Sequence, residues 1–208
     1  MLPRLHLVTN DAVVAAATFP AQAEAILQEL GAQVALHLRA RSASGHLLHD
    51  LACRLIRLPQ AIVLLNERVD VAMATGASGV QLPARSLPVQ AVRSLLGPDR
   101  WIGCSVHHLA EALLADAEGA DFLVAGTIYA SATHPTAPAR GPGFLQELAA
   151  QVRLPIIAIG GVDLERVPEC TRLGAYGIAV IRAVWAAPHP IHAARALLAQ
   201  MSEVTGGE

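Results

Sequence analysis

Short apolar runs alternate with longer amphipathic stretches along the whole of this 208-residue chain. The short runs are rich in Val, Ile, Leu and Ala and end in polar residues or glycine, a pattern typical of buried parallel strands. Eight such strands are predicted, over residues 5–9, 34–39, 61–66, 79–82, 101–106, 122–128, 155–160 and 177–181. Helical spacing of apolar residues predicts helices between them, most clearly over residues 21–30, 47–58, 109–117 and 144–152.

The regular alternation of strand and helix favours one fold class. Parallel strands in this order form either an open doubly wound sheet or a closed barrel, and the count of eight favours the barrel. No linker or low-complexity segment interrupts the pattern. We therefore predict a single α/β domain over residues 1–208, folded as a (β/α)8 TIM barrel.

The seventh predicted strand ends in a pair of glycines, Gly160 and Gly161, just before a helical segment. Paired glycines let bare backbone N–H groups approach an anion, and a following helix N-terminus favours negative charge. The eighth strand ends in a similar turn at Val180 and Ile181. In a barrel these two turns commonly hold a phosphate, whereas the alternative is that both are ordinary core strands.

Composition narrows the possible chemistry. All fifteen residues of the Lys and Arg class are arginine, which excludes a Schiff-base aldolase and a P-loop lysine. The net charge is -2 with few aromatic residues, so we expect no nucleic-acid partner. The three cysteines are scattered, no apolar run approaches the roughly 18 residues of a membrane span, and residues 1–10 do not resemble a signal peptide. We expect a cytoplasmic protein that does not bind membranes.

Polar side chains at the carboxyl ends of parallel barrel strands converge on one pocket. The predicted strand ends and the loops after them supply arginine, histidine, amide, carboxylate and hydroxyl groups. They are His37, Arg39, Arg41, Asn66, Glu67, Gln81, Ser105, His107, Thr127, Ser131, Thr133 and His134. This set suits a phosphorylated or otherwise anionic ligand.

Several of these residues have a structural alternative. Arg39 binds a substrate anion or pairs with a structural carboxylate. Asn66 belongs to the site or caps the following helix, whose first turn holds Asp70. His107 acts as a general base and acid or only joins neighbouring loops by hydrogen bonds. His6, in the first predicted strand, is interpreted as a structural histidine.

The strand ends do not predict a metal site. Mg²⁺ usually binds one or two carboxylates in addition to phosphate oxygens. Glu67 follows the third predicted strand, but residues 83–86 after the fourth strand contain no carboxylate. We therefore expect no bound metal.

Seven segments together resemble the thiamine phosphate synthase/TenI superfamily over nearly the full length of the chain. In order, they are residues 37–42, 65–72, 79–83, 102–107, 120–126, 156–161 and 177–180. His37 and the sequence Gln81-Leu82-Pro83 are closer to the TenI branch, the thiazole tautomerases. Where the synthase branch has two magnesium-binding aspartates this chain has Glu67 and Ser86, and His134 replaces a lysine.

The resemblance to the TenI branch implies isomerisation of a carboxythiazole phosphate by proton removal and return, without a cofactor. It implies that Arg39 and the turns after Gly160 and Val180 hold the anionic groups of this ligand. Ser105, Ser131 and Thr133 are then expected to add hydrogen bonds. Thr127 stands where the tautomerases are expected to carry a catalytic histidine, so the catalytic candidates are His107, Glu67 and His134.

Two other functions remain open at this point. One is a thiamine phosphate synthase, which joins a pyrimidine pyrophosphate to a thiazole phosphate. The other is a protein that binds thiazole phosphate without catalysis, which the threonine at position 127 permits. Small barrels often associate through their helical layer, so we expect a homo-oligomer.

Overall fold

The computed structural model describes residues 1–130 and 138–205 and forms a closed barrel of eight parallel strands. They are β1 (Leu5–Val8), β2 (Val34–Leu38), β3 (Ile62–Asn66), β4 (Gly79–Leu82), β5 (Trp101–Val106), β6 (Phe122–Ala125), β7 (Ile156–Ile159) and β8 (Gly177–Val180). Each strand pairs with the next in sequence, and β8 closes the barrel on β1, where Leu5 lies opposite Ile178. The predicted (β/α)8 fold is confirmed.

Helices follow the strands around the outside of the barrel. They are α1 (Asp11–Ala15), α2 (Phe19–Leu30), α3 (Gly45–Leu55), α4 (Val69–Thr75), α5 (Val89–Leu96), α6 (Leu109–Ala117), α7 (Gly143–Ala149), α8 (Val167–Arg172), α9 (Arg182–Trp185) and α10 (Pro190–Thr205). A 3-10 turn, Gly31–Gln33, precedes β2. Within the described part of the chain, no helix has both the length and the apolar character to cross a membrane.

The apolar residues form two packed layers, because successive side chains of a strand point to opposite faces. The larger cluster lies between the strands and the helices and includes Leu7 and Leu36. A smaller cluster fills the barrel interior around Phe122. The ring of Phe122 also packs against two buried imidazoles, those of His6 and His37. Side chains therefore fill the barrel interior beneath the carboxyl ends of the strands. A site can form only at those ends.

The sixth strand is shorter than its apolar pattern predicts. The prediction extended it to residue 128, but β6 ends at Ala125. Beyond that point the chain turns toward β7, since Ile128 N–H donates to Ile159 O at 2.9 Å and Tyr129 N–H to Gly160 O at 2.9 Å. Ile128 is apolar because it is buried in this loop, not because it lies in a strand.

Of the two roles open for Asn66, the helix cap is the one that the structure excludes. Asn66 is the last residue of β3, and α4 begins at Val69 with Arg68 at the N-cap position. Asp70 does lie in the first turn of α4, as predicted, and accepts hydrogen bonds from the Arg68 guanidinium. Asn66 is thus available to the site.

Candidate functional site

A cavity of about 630 Å³ opens at the carboxyl ends of the strands. The polar groups predicted from the strand ends meet around it, together with the turns after β7 and β8. The predicted site residues that line it are His37, Arg39, Arg41, Asn66, Glu67, Gln81, Ser105, His107, Thr127, Gly160, Gly161, Val180 and Ile181. Ser131, Thr133 and His134, also predicted for the site, lie outside the described residues.

Two arginines at the end of β2 form a cationic wall of the cavity. Arg39 is half-buried, and its guanidinium forms no hydrogen bond or close ion pair with the described residues. Burial, and then the neighbouring Arg41 charge, lowers the pKa of Arg39 below its usual range, so an anion there would be favoured. Arg41 is exposed, and its Nε lies 3.8 Å from Glu67 Oε1. The structural partner for Arg39 that the sequence left open is therefore not seen.

The backbone beneath Arg39 is held by the buried hydroxyl of Thr9. Thr9 Oγ1 accepts from Arg39 N–H at 2.8 Å and lies 2.9 Å from Arg39 O, to which it donates. Buried polar groups of the backbone need such partners, so Thr9 fixes the point at which Arg39 leaves the barrel.

Under the same wall, two histidines connect the barrel interior to Asn66. His6 Nδ1 lies 2.8 Å from His37 Nε2, and His37 Nδ1 lies 3.2 Å from the carboxamide of Asn66. Burial lowers the pKa of His6 to about 4 and that of His37 well below its usual value, so both are neutral at pH 7. The sequence interpretation of His6 as a merely structural residue missed this direct contact with a cavity residue.

A second polar pair joins β4 and β5. Gln81 is buried, and its Nε2 donates to Ser105 Oγ at 3.1 Å. The other amide atom, Oε1, is buried and has no hydrogen-bond partner among the described residues. The pair fixes the Ser105 hydroxyl at the cavity wall.

His107, after β5, is held in one tautomer. Its Nδ1 lies 2.5 Å from the carbonyl oxygen of Gly126, which can only accept, so Nδ1 carries the proton. The backbone N–H of His107 donates to Glu111 Oε2 at 2.6 Å, which fixes the residue at the start of α6. Since Nδ1 is the donor to Gly126 O, Nε2 is the ring nitrogen left to act as a general base.

The turn after β7 has the geometry of an anion cradle. Gly160 and Gly161 have φ angles of +99° and +63°, in the region that favours glycine. The N–H groups of Gly161 and Val162 have no hydrogen-bond acceptor among residues 1–130 and 138–205. The same is true of the first N–H groups of α9, at Arg182 and Ala183, beside the end of β8. All four residues line the cavity.

The sequence analysis missed three charged residues on this side of the cavity. Asp163 and Arg166 follow the double glycine, and Arg182 follows Ile181. Arg166 donates to Gly161 O and stacks 4.7 Å from the Tyr129 ring, which holds the turn against the loop after β6. Arg182 forms no ion pair within the described part of the chain. Their positions directly after the two predicted turns were the signal that could have found them.

Known proteins place this barrel in a family. The family model described as thiamine monophosphate synthase matches residues 5–184. The chain belongs to the thiamine monophosphate synthase family. A thiamine-phosphate synthase of Chlorobium phaeovibrioides is 43% identical over 182 residues, which cover 83% of this chain and 85% of the relative. A putative thiamine-phosphate synthase 2 of Aquifex aeolicus is 36% identical over 183 residues, or 86% of this chain and 96% of that one.

The fold of the family is also found in solved structures. Thiamine phosphate pyrophosphorylase from Pyrococcus furiosus is similar to this chain with a TM-score of 0.81 and 29% identity, over 98% of this chain and 96% of that one. The Chlorobium and Aquifex relatives carry the synthase name and the Pyrococcus structure is named a pyrophosphorylase, so these three names do not single out the TenI branch that the sequence favoured. The family is thus established, and the reaction within it is a separate question.

The synthase branch implies a magnesium ion, which usually binds one or two carboxylates in addition to phosphate oxygens. Glu67 supplies one carboxylate, but Arg41 lies beside it. Position 86, after β4, is serine and supplies no second carboxylate. No group of three or more His, Cys, Asp or Glu side chains in the described ranges is arranged to hold an ion. These residues therefore do not fit a Mg²⁺ ion held by the protein.

Proposed function

We propose that the chain is a thiamine-phosphate synthase, which joins a pyrimidine pyrophosphate to a thiazole phosphate. The observation that carries the proposal is the presence of two distinct anion subsites on one cavity. Arg39 and Arg41 form the first subsite at the end of β2, and the turns after β7 and β8 form the second. A reaction between two phosphorylated substrates needs both. The synthase names of relatives that match most of the chain support the same choice.

The arginine subsite suits the leaving group of this reaction. A thiazole nitrogen forms a bond to the pyrimidine methylene carbon while the bond from that carbon to the pyrophosphate oxygen breaks, so the pyrophosphate leaves with its electron pair. Two guanidinium groups stabilise the charge that develops there, because arginine binds phosphate oxygens with paired donors. Arg39 adds most, since its charge is half-buried and no carboxylate of residues 1–130 and 138–205 forms an ion pair with it.

The glycine subsite suits the phosphate of the thiazole. Free N–H groups at Gly161 and Val162 and at the start of α9 are donors for phosphate oxygens. The Arg182 guanidinium adds a positive charge at the same edge. With the phosphate held there, the thiazole ring extends into the cavity toward β2, where the pyrimidine pyrophosphate is bound.

A pyrophosphate-release assay with both substrates tests the proposal. We expect release that requires both substrates, with magnesium chloride in the buffer as the companion ion of pyrophosphate. Arg39→Gln should lower the rate by 10²-fold or more, in line with the loss of a transition-state donor. Arg153→Gln, which removes an exposed arginine away from the cavity, is the matched control. Wild-type protein that releases no pyrophosphate from the complete mixture would contradict the proposal.

His107 favours a second candidate function, the tautomerase that the sequence predicted. Its Nε2 lone pair is available at the cavity, and a general base is needed for proton removal from a carboxythiazole phosphate but not for the joining reaction. In this reaction the same nitrogen takes a proton from a ring carbon and returns it to the exocyclic carbon, so that the exocyclic double bond moves into the ring and the aromatic thiazole forms. The test is exchange of solvent deuterium into carboxythiazole phosphate. The tautomerase interpretation requires exchange in the wild type and its loss in His107→Gln, with His108→Gln as the control.

A further inference from the structure

A line of hydrogen-bonded side chains runs through the barrel interior and ends at the cavity. His6 Nε2 lies 3.0 Å from the carbonyl oxygen of Pro3, and His6 Nδ1 lies 2.8 Å from His37 Nε2. His37 Nδ1 then meets the carboxamide of Asn66 at 3.2 Å. His6 and His37 are 0% and 1% exposed, and the Phe122 ring packs on both of them. The line is therefore shielded from water until it reaches Asn66.

The first partner in the line decides where the protons lie. The Pro3 carbonyl can only accept, so His6 carries its proton on Nε2. Since a neutral imidazole has one N–H, His6 Nδ1 must accept, and His37 must donate to it from Nε2. His37 is then left with a lone pair on Nδ1, the atom that faces Asn66. Burial keeps both rings neutral at pH 7 because it lowers their pKa values.

This arrangement also decides which way the Asn66 carboxamide is turned. If Oδ1 faced His37 Nδ1, two lone pairs would oppose each other at 3.2 Å. The oxygen and nitrogen of a carboxamide are assigned from the network around them, and here the network requires the donor Nδ2 to face His37. Oδ1 is then the atom presented to the cavity, which Asn66 lines.

We propose that His6 and His37 are positioning residues whose fixed tautomers turn the Asn66 oxygen toward the cavity, so that this wall accepts a hydrogen bond from an amino or N–H group on the ligand ring. A carboxamide turned the other way would offer two donors and would favour a phosphate or carbonyl oxygen. The orientation of the Asn66 carboxamide therefore gives this part of the cavity an acceptor for the ligand ring. The neighbouring Arg39 and Arg41 bind the anion. The tautomers follow from the hydrogen-bond geometry and the burial of both rings, and only the ligand part rests on the proposed function.

The first experiment measures the tautomers directly in the full chain. Long-range ¹⁵N–¹H correlation spectra of the wild type at pH 7 should show His6 and His37 as neutral rings protonated on Nε2. Either ring in the charged form, or His37 protonated on Nδ1, would overturn the proposal. Because this measurement uses the unaltered protein without ligand, its result is independent of whether the chain is a synthase.

The second experiment reverses the line at its origin. His6→Phe removes the acceptor for His37 Nε2–H, so His37 should move its proton to Nδ1 and Asn66 should turn its Nδ2 to the cavity. Phe122→Leu alters the packing on both rings but keeps the line, so its tautomers should stay as in the wild type.

Two small probes report the same reversal in binding. We expect wild type and Phe122→Leu to bind 4-aminopyrimidine about tenfold more tightly than 4-methoxypyrimidine, which has no N–H, and His6→Phe to lose or reverse this preference. Wild type that binds both probes equally would overturn the ligand part of the proposal, even if the tautomers are as expected. The joining reaction could fail while the tautomers and the probe preference are as expected. That result would contradict the synthase function but not the proposed roles of His6, His37 and Asn66.

Discussion

Glu67 and Arg41 face each other at the rim of the cavity, with Glu67 Oε1 3.8 Å from Arg41 Nε. Glu67 is held there by its backbone, which has a φ of +68° and donates from N–H to Gln81 O at 3.0 Å. A non-glycine residue in this conformation is uncommon and often lies at a functional site. The pair places one negative charge next to the two arginines that we assign to pyrophosphate.

Glu67→Gln should therefore tighten the binding of pyrophosphate. Removal of a carboxylate from a partly exposed site next to a bound anion is worth about 0.5–1 kcal/mol, or roughly a two- to fivefold lower Kd. Unfolding stability should change little, because the ion pair is largely exposed. Calorimetric titration of inorganic pyrophosphate without metal measures the effect, with Glu203→Gln as a surface control. Weaker binding in Glu67→Gln would show that this carboxylate assists the anion instead of opposing it.

Thr9→Val should loosen the backbone of Arg39, which the Thr9 hydroxyl holds by hydrogen bonds. Valine has nearly the same shape but leaves Arg39 N–H and O without their hydroxyl partner, at a cost of about 1–3 kcal/mol in unfolding free energy. The pyrophosphate Kd should rise at the same time, because Arg39 loses its fixed backbone. Thr75→Val removes a hydroxyl bonded only within α4, to Val71 O, and should do neither. If Thr9→Val is destabilised but its pyrophosphate Kd is unchanged, Thr9 does not position Arg39 for anion binding.

Gly161→Ala should damage the phosphate cradle. An added Cβ would lie 2.6 Å from Ala130 O, and the φ of +63° disfavours alanine. Gly76→Ala is a close control, because φ is +75° there and a Cβ meets nothing within 4 Å. Both variants should lose about 1–2 kcal/mol of stability from backbone strain, and Gly161→Ala should lose more because its Cβ meets Ala130 O. Only Gly161→Ala should raise the Kd of inorganic phosphate, by about tenfold or more. Equal phosphate affinity in the two variants would argue against this turn as the phosphate site.

The stability of the protein should fall as the pH drops below neutrality. The pKa of His6 is lowered to about 4 by burial, so between pH 6.5 and 4 the unfolded chain binds a proton that the folded chain does not. The contribution of neutral His6 to the free energy of unfolding is fully present above pH 6.5. It is lost as the pH falls toward 4, by about 3 kcal/mol in total. Urea unfolding at pH 7.5, 5.5 and 4.5 measures it. The exposed His46→Gln should show the same decline, whereas a flat profile in the wild type would mean that His6 is not buried as a neutral ring.

The barrel itself could be predicted from the sequence, because each strand is a short apolar run between glycine, proline or polar residues. The site could be predicted in part for the same reason. Polar residues such as Arg39, Gln81 and Ser105 stand at strand ends, where the barrel geometry brings them together. What the pattern could not show was the end of β6, since Ile128 is as apolar in its buried loop as it would be in a strand.

The role of His6 depends on contacts that no local pattern contains. Leu7 lies opposite Leu36 and Val8 opposite His37 in the β1–β2 register, so the two histidines meet diagonally inside the barrel. A histidine early in a strand gives no sign of such a partner. Likewise, the tautomer of His107 follows from Gly126 O, nineteen residues away. These contacts decide which atoms face the ligand, and they required the structure.

One NMR experiment in deuterium oxide tests the central claim most directly, because it reports both candidate reactions in the same tube. Wild-type protein is mixed with a pyrimidine pyrophosphate and a thiazole phosphate, and in a parallel sample with carboxythiazole phosphate alone. The synthase account predicts free pyrophosphate in the ³¹P spectrum and the matching joined product in the first tube, both formed at least about 10²-fold more slowly by Arg39→Gln. Deuterium exchange into carboxythiazole phosphate, with no joined product in the first tube, would contradict the synthase account and establish the tautomerase instead.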